Sequence, residues 1–236
     1  MMEIKIAHMY PELLNLYGDK GNINALCKRL TWRGIDASVK RFDLNDDLNL
    51  EDIDILFIGG GSDREQKIVC ERLLKEKEKI KEYVENEGVT VAVCGGYQLL
   101  GKYTKLDTET IDGLGILDLY TEQKSERLMG NVVIDSPLTG CKVTGFENHN
   151  GRTYSKHSAL GKVIIGNGNN GIDKTEGSVY KNLIGTYLHG PVLPANPALT
   201  DYILLKAIEK KYGEYCLAPL DDSAEKNARD YIIKLG

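Results

Sequence analysis

Cys94 is the residue from which a chemistry can be built. It stands in Val91-Ala92-Val93-Cys94-Gly95-Gly96-Tyr97-Gln98-Leu99-Leu100, where a strand-like apolar run meets helical sequence with no linker. Ala92 and Gly96, two residues to either side, are small, as a sharp strand-to-helix elbow requires because a strained backbone at a nucleophile brings its neighbours close. Such a turn lifts the sulfur clear of the sheet, at the carboxyl edge where open α/β sheets bind ligands. The helix N-terminus below it is expected to lower the thiol pKa and favour the thiolate. A buried cysteine that merely ends a strand is the competing reading, since free cysteines are commonly buried.

A second strand-like run also ends abruptly, in Phe57-Ile58-Gly59-Gly60-Gly61-Ser62. Glycines let backbone N–H groups approach a ligand, so this loop can supply one donor of an oxyanion hole, with the Gly95 N–H as the other. Standing alone, it is only a tight turn. A nucleophilic thiol also needs a base, and four histidines are available. His8 lies in the first strand and His157 in a polar stretch, which suggests structural or exposed roles. His149 lies in Glu147-Asn148-His149-Asn150-Gly151, which reads as a turn-like loop. His189 ends the run Leu183-Ile184-Gly185-Thr186-Tyr187-Leu188 before Gly190-Pro191. A histidine at a strand end in the sheet that carries Cys94 is well placed to activate it, although a lone histidine is more often a satisfied structural residue.

The run Gly166-Asn167-Gly168-Asn169-Asn170-Gly171 matches G-x-G-x-x-G, but no helix begins after it and it falls late in the chain. Without a helix N-terminus there is no pyrophosphate cradle, so it reads as a turn. A G-x-x-x-x-G-K-[ST] sequence does not occur, so ATP binding by a P-loop is not expected.

These residues need a frame to position them. Segments at 4–9, 37–42, 53–58 and 89–93 read as strands, alternating with helical patterns at 22–33 and from 63 to about 88. That alternation predicts a parallel sheet with helices on both faces. After Gly101, short strand candidates at 116–120, 129–135, 142–146, 163–165, 178–181 and 183–188 are separated by Gly, Asn, Asp and Pro turns. They are expected to extend the sheet with antiparallel strands. Helices return at 196–212 and 222–235, and no Pro- or Ser-rich linker divides the chain, so residues 1–236 read as a single domain.

Composition excludes several classes of function. The 236 residues are 42% hydrophobic and 28% charged, which is a globular balance. With 35 acidic and 30 basic residues the net charge is -5, not the basic surplus of a nucleic-acid-binding chain. No apolar run approaches the ~20 residues of a membrane-spanning helix, and the N-terminus does not read as a signal peptide. Five scattered cysteines with no C-x-x-C pair argue against a disulfide framework or a zinc site. Reduced thiols in a cytoplasm, with no metal bound, are expected.

Taken together, the glycine-rich strand end, the cysteine elbow with glutamine four residues on, and the late histidine resemble class I (triad) glutamine amidotransferases. The resemblance is closest to the cobyric-acid-synthase-like branch and, within it, to the glutaminase subunits of lipid II isoglutaminyl synthases. It is carried by four stretches. They are His8-Met9-Tyr10-Pro11-Glu12-Leu13-Leu14-Asn15-Leu16-Tyr17-Gly18-Asp19-Lys20-Gly21-Asn22, Gly59-Gly60-Gly61-Ser62-Asp63-Arg64-Glu65-Gln66, Gly145-Phe146-Glu147-Asn148-His149-Asn150-Gly151-Arg152-Thr153 and Thr186-Tyr187-Leu188-His189-Gly190-Pro191. They span nearly the whole chain.

The resemblance implies a flavodoxin-like, mainly parallel sheet with added antiparallel strands. It implies Cys94 as nucleophile, His189 as general base, Gly60 and Gly95 as backbone oxyanion donors, and Gln98 and Arg127 as residues that hold glutamine. It further implies ammonia delivery to a Mur-ligase-like partner (MurT), which would carry ATP and Mg while this chain carries no cofactor. That partner would amidate D-glutamate of lipid II to D-isoglutamine during peptidoglycan synthesis. Another carboxylate acceptor, such as a corrin, and a non-catalytic scaffold subunit are the alternatives. One departure stands out: many members follow the histidine with x-Glu, whereas Pro191 occupies that place here. A dyad is therefore expected within the chain, with a third carboxylate either from Asp201 folding back or, preferably, from the partner.

Overall fold

The computed structural model describes residues 2–235. In chain order the elements begin with β1 (Glu3–Met9), α1 (Lys20–Thr31), β2 (Asp36–Phe42), β3 (Ile55–Ile58), α2 (Asp63–Lys75), α3 (Lys77–Glu85), β4 (Val89–Val93) and α4 (Gly95–Leu99). Then follow β5 (Tyr103–Lys105), β6 (Thr110–Asp112), β7 (Leu119–Ser136), β8 (Cys141–Ser155), β9 (Gly161–Ile165), β10 (Thr175–Glu176), β11 (Ser178–Tyr180) and β12 (Leu183–Thr186). The chain closes with α5 (Val192–Ala195), α6 (Pro197–Tyr212) and α7 (Ser223–Leu235).

The first sheet has the strand order β11-β12-β4-β3-β1-β2. Its neighbours pair in parallel except β11, which runs antiparallel to β12. Every residue of β3 and β4 is buried, as expected of strands covered on both faces. α1 packs with α5 and α6, and α2 packs with α3 and α4, giving two separate helix groups. The α/β alternation read from the sequence is therefore present. The helix expected from 63 to 88 is broken near Glu76, whose buried carboxylate pairs with Arg72 and Lys79. At its start, Ser62 and Glu65 form a reciprocal capping box worth about 1 kcal/mol. The cap fixes the helix entry directly after the glycine run.

The later strands depart from expectation. Only β11 extends the first sheet as an antiparallel strand. β12 joins that sheet in parallel beside β4, and the remaining later strands form a second sheet of order β10-β9-β7-β5-β6, with β8 paired to β7. The candidates at 116–120 and 129–135 merge into β7, and β8 runs straight through 147–151, so the turn expected around His149 is a strand. The reason is cross-strand pairing: Leu128–Ser136 and Cys141–His149 pair residue for residue, and the ladder resumes at Gln123–Gly151 beyond an irregularity in β7. Polar residues can occupy this strand because their buried side chains find partners across it. The run 166–171 is a turn, as read, and Gly166, Gly168 and Gly171 all take positive φ.

Candidate active site

Three neighbouring parallel strands, β12, β4 and β3, end together. Their register sets Thr186 beside Val93 and Ile58 beside Ala92, so Cys94 emerges between the segment leading to His189 and the Gly59–Gly61 loop. The Cys94 N–H donates to the Thr186 carbonyl at 2.8 Å, and the Gly96 N–H to the Gly59 carbonyl at 3.1 Å. Cys94 itself has φ 50° and ψ -107°. A residue with a Cβ pays strain in that region, and it persists only where the surroundings over-determine it. The closeness at Gly96 is steric as well: a Cβ there would lie 2.6 Å from the Ile58 carbonyl oxygen. The elbow expected from the sequence is thus present.

His189 is pinned from the other sheet. Its backbone exchanges hydrogen bonds with Phe146 of β8, at 2.8 and 3.2 Å. A methyl placed on Gly60 would lie 3.1 Å from Cys94 Cβ and 3.5 Å from His189 Cε1, so Cys94 and His189 face the same small space beside Gly60. The structure brings the three candidates, Cys94, His189 and the glycine loop, together.

The electrostatics correct one expectation. Cys94 is only 6% exposed. Burial, with the nearby Asp19 charge, pushes its thiol up to about 12, against the Gly95 N–H hydrogen bond to sulfur and the Arg127 charge. Desolvation of the thiolate outweighs the dipole of a five-residue helix. At rest the Cys94 thiol is neutral. Burial, helped by repulsion from His149, holds His189 down to about 4, so the imidazole is also neutral and able to accept a proton. A neutral thiol facing a neutral imidazole suits general-base attack on an acyl carbon, the proton moving as the S–C bond forms.

The remaining site candidates surround this pair. Gln98 donates to the Tyr187 hydroxyl at 3.0 Å and lines a narrow polar cleft with Asp63, Gln66, Gln123, Asn150 and Gly151. Arg127 lies on the exposed irregular stretch of β7, where its Nε donates to Asn148 Oδ1 at 2.6 Å, and its charge reaches Cys94. Of the two amides expected to serve as oxyanion donors, Gly95 is directed at the sulfur, but the Gly60 N–H donates to Asp19 Oδ2 at 2.7 Å. Asp19 is buried, and desolvation raises its carboxyl to about 7. Sequence reading assigned it no role, although it sits within the opening stretch that carries the resemblance.

The other acids and histidines are committed elsewhere. Asp201 does not fold back toward His189. It is held by Arg29 and Arg33, each at 2.7 Å. Glu147 accepts from the Asn167 and Gly168 amides at 2.9 and 2.8 Å, and Glu176 from the Tyr187 amide at 2.7 Å. His149 stacks on Tyr187 with ring centroids 3.7 Å apart and bonds the Gly151 carbonyl at 2.9 Å, which is a packing role. His157 Nε2 accepts from the Asp118 amide at 2.8 Å, and His8 is buried against Phe57. No helix among the described residues is long and apolar enough to cross a membrane.

Over 99% of its length the chain is 47% identical to the lipid II isoglutaminyl synthase (glutamine-hydrolyzing) subunit GatD of Staphylococcus aureus, covering 96% of that protein. It is 40% identical to the GatD subunit of Streptococcus pneumoniae, over 97% of this chain and 90% of that one. A probable cobyric acid synthase of Methanocaldococcus jannaschii is 32% identical over 81% of the chain, which spans 40% of that longer protein. Among solved structures, PurLQS of Thermotoga maritima superposes with a TM-score of 0.57 at 16% identity, covering 88% of this chain and 97% of that one. A glutamine amidotransferase from the same organism superposes at 0.53 and 16% identity, covering 99% and 94%; both likenesses bear on the fold alone. Residues 5–197 match the CobB/CobQ-like glutamine amidotransferase domain, and with the Cys94 elbow facing His189 across Gly60 the chain belongs to that family of glutamine amidotransferases.

Proposed function

We propose that this chain is the glutaminase subunit of a lipid II isoglutaminyl synthase. The observation that carries the chemistry is the convergence of a strained, buried Cys94 and a neutral His189 on the space beside Gly60. Cys94 Sγ attacks the side-chain carboxamide carbon of L-glutamine while His189 takes the thiol proton. The tetrahedral oxyanion is held by the Gly95 and Gly60 amides. His189 returns the proton to the departing nitrogen, the C–N bond breaks, and ammonia leaves a γ-glutamyl thioester. Water, deprotonated by His189, then attacks the thioester, and glutamate and the free thiol are released. Gln98 and Arg127 hold the amino-acid end of the substrate, Arg127 supplying the positive charge a carboxylate needs.

Ammonia passes to an ATP- and Mg-dependent Mur-ligase-like partner (MurT), which amidates D-glutamate of lipid II. This chain needs no cofactor or metal, acts in the cytoplasm as one half of a heterodimer, and works as a single domain. Identity to GatD subunits over nearly the full length supports this acceptor over a corrin. The third carboxylate comes from the partner: Pro191 offers none, and Asp201 is tied to two arginines. A residue that orients the catalytic imidazole is worth up to ~10⁴-fold. The test is glutamate release by the isolated chain and by the chain co-purified with its partner from its native cell. The complex should be at least ~10²-fold faster, and Cys94→Ser should remove turnover in both. Equal rates refute completion in trans, and turnover that survives Cys94→Ser refutes the nucleophile.

A further inference from the structure

The loop that offers Gly60 to the oxyanion is held at both of its polar atoms by the segment before α1. Its carbonyl accepts from the Leu16 N–H at 2.9 Å, and its N–H donates to Asp19 Oδ2 at 2.7 Å. The Asp19 carboxylate is 1% exposed. Its second oxygen takes only a long 3.3 Å bond from Asn22 Nδ2, and Asn22 Oδ1 in turn accepts from the Leu193 N–H at 2.9 Å, four residues past His189. Leu13, Asn15 and Leu16 are half-buried and Gly18 is exposed, so the segment carrying Asp19 runs from the molecular surface to the nucleophile.

We propose that Asp19 is a positioning residue that acts through Gly60, withholding the Gly60 amide from the oxyanion until the Asn15–Asp19 segment is displaced. The inference rests on the glutaminase reading. An amide has one proton, and while a carboxylate accepts it at 2.7 Å it cannot stabilise a second anion. In its ionised form Asp19 also places like charge beside the site where the oxyanion develops, so it then opposes the transition state twice over. A missing oxyanion donor costs ~10²–10³-fold. The device would spare glutamine in a chain without its synthetase. Because the segment reaches the surface, a bound partner can pull it away.

The test compares Asp19→Ala, Asp19→Asn and wild type as isolated chains and as complexes with the synthetase partner, reading kcat and KM for glutamine. Freed of the carboxylate, the isolated Asp19→Ala chain should gain at least ~10-fold in kcat with KM within about threefold. Its stimulation by the partner should fall by the same factor. Asp19→Asn retains an acceptor oxygen for the Gly60 N–H and should gain less. A purely structural role predicts loss of activity, so a folded Asp19→Ala chain with unchanged or lower kcat overturns the proposal. So does an Asp19→Asn gain equal to that of alanine, which would make charge the whole effect. If alanine impairs folding, Asp19→Ser, too short to reach Gly60, is read the same way. The Gly60 amide proton resonance gives a second readout: it should move upfield in the folded variant, and a fixed resonance overturns the latch. A wild-type complex that releases no glutamate refutes the glutaminase reading itself, and the latch with it.

Discussion

Simple alkylation of Cys94 should be slow. Burial pushes its thiol to about 12, so the thiolate fraction at pH 7.5 is about 3 × 10⁻⁵. An ordinary exposed thiol titrates near 8.5 and is roughly 9% ionised at that pH. The deficit is about 3 × 10³. The more basic thiolate is intrinsically more nucleophilic, and a Brønsted slope of about 0.45 over 3.5 units returns a factor of roughly 40. A net disadvantage of about 10² remains before steric shielding is counted. Iodoacetamide at pH 7.5, with modification of each cysteine followed over time by peptide mass spectrometry, checks this. Cys216 is exposed and serves as internal reference. Cys94 should react at least ~10²-fold more slowly than Cys216. A glutamine-shaped electrophile should reverse the ranking, because it binds beside Cys94 and His189 removes the proton as the bond forms. If Cys94 outruns Cys216 with iodoacetamide, the resting site holds a thiolate and the argument from burial is wrong.

Further outcomes follow from the same geometry. His189→Ala should lower glutamine hydrolysis by at least ~10²-fold. His149→Ala should cost about 1–3 kcal/mol of stability through the lost Tyr187 stack and Gly151 bond, yet change kcat less than about tenfold; kinetics and chemical denaturation separate the two, and a reversed ranking moves the base to β8. His189 is lowered from 6.5 to about 4, so its proton-accepting form persists as pH falls and is lost only near pH 4. The acid limb of kcat/KM for the free enzyme should therefore lie well below 6, and a limb at 6.5 or above would contradict the buried neutral imidazole. Asp201→Asn should destabilise the fold by about 2 kcal/mol through the Arg29 and Arg33 contacts, with glutaminase turnover of the folded chain unchanged within about threefold. Loss of turnover without loss of stability would return Asp201 to the site.

The chemistry-bearing residues were legible in the linear chain because each is tied to a local pattern. Cys94 follows a mostly apolar strand and precedes glycines, Gly59–Gly61 end another such strand, and His189 closes a third such run. Fully buried parallel strands have continuous apolar sequence, so their ends, and the groups placed there, can be located without coordinates. What the chain could not show is which strand ends are neighbours. The order β12-β4-β3 joins segments about 130 residues apart, and only the sheet brings His189 and Gly60 together beside Cys94. The β7–β8 hairpin was misread as short strands and a turn because cross-strand backbone pairing carries polar residues such as Glu147 and His149 within the ladder, which single-strand periodicity does not report. The protonation state of the nucleophile was also misjudged. A helix N-terminus is a local feature visible in sequence, whereas burial is a sum over the whole fold, and here burial is the larger effect. Asp19 is the sharpest case. Its carboxylate reaches Gly60 across 41 residues of chain, and only the tertiary packing of the segment before α1 against the Gly59–Gly61 loop decides that it holds that amide.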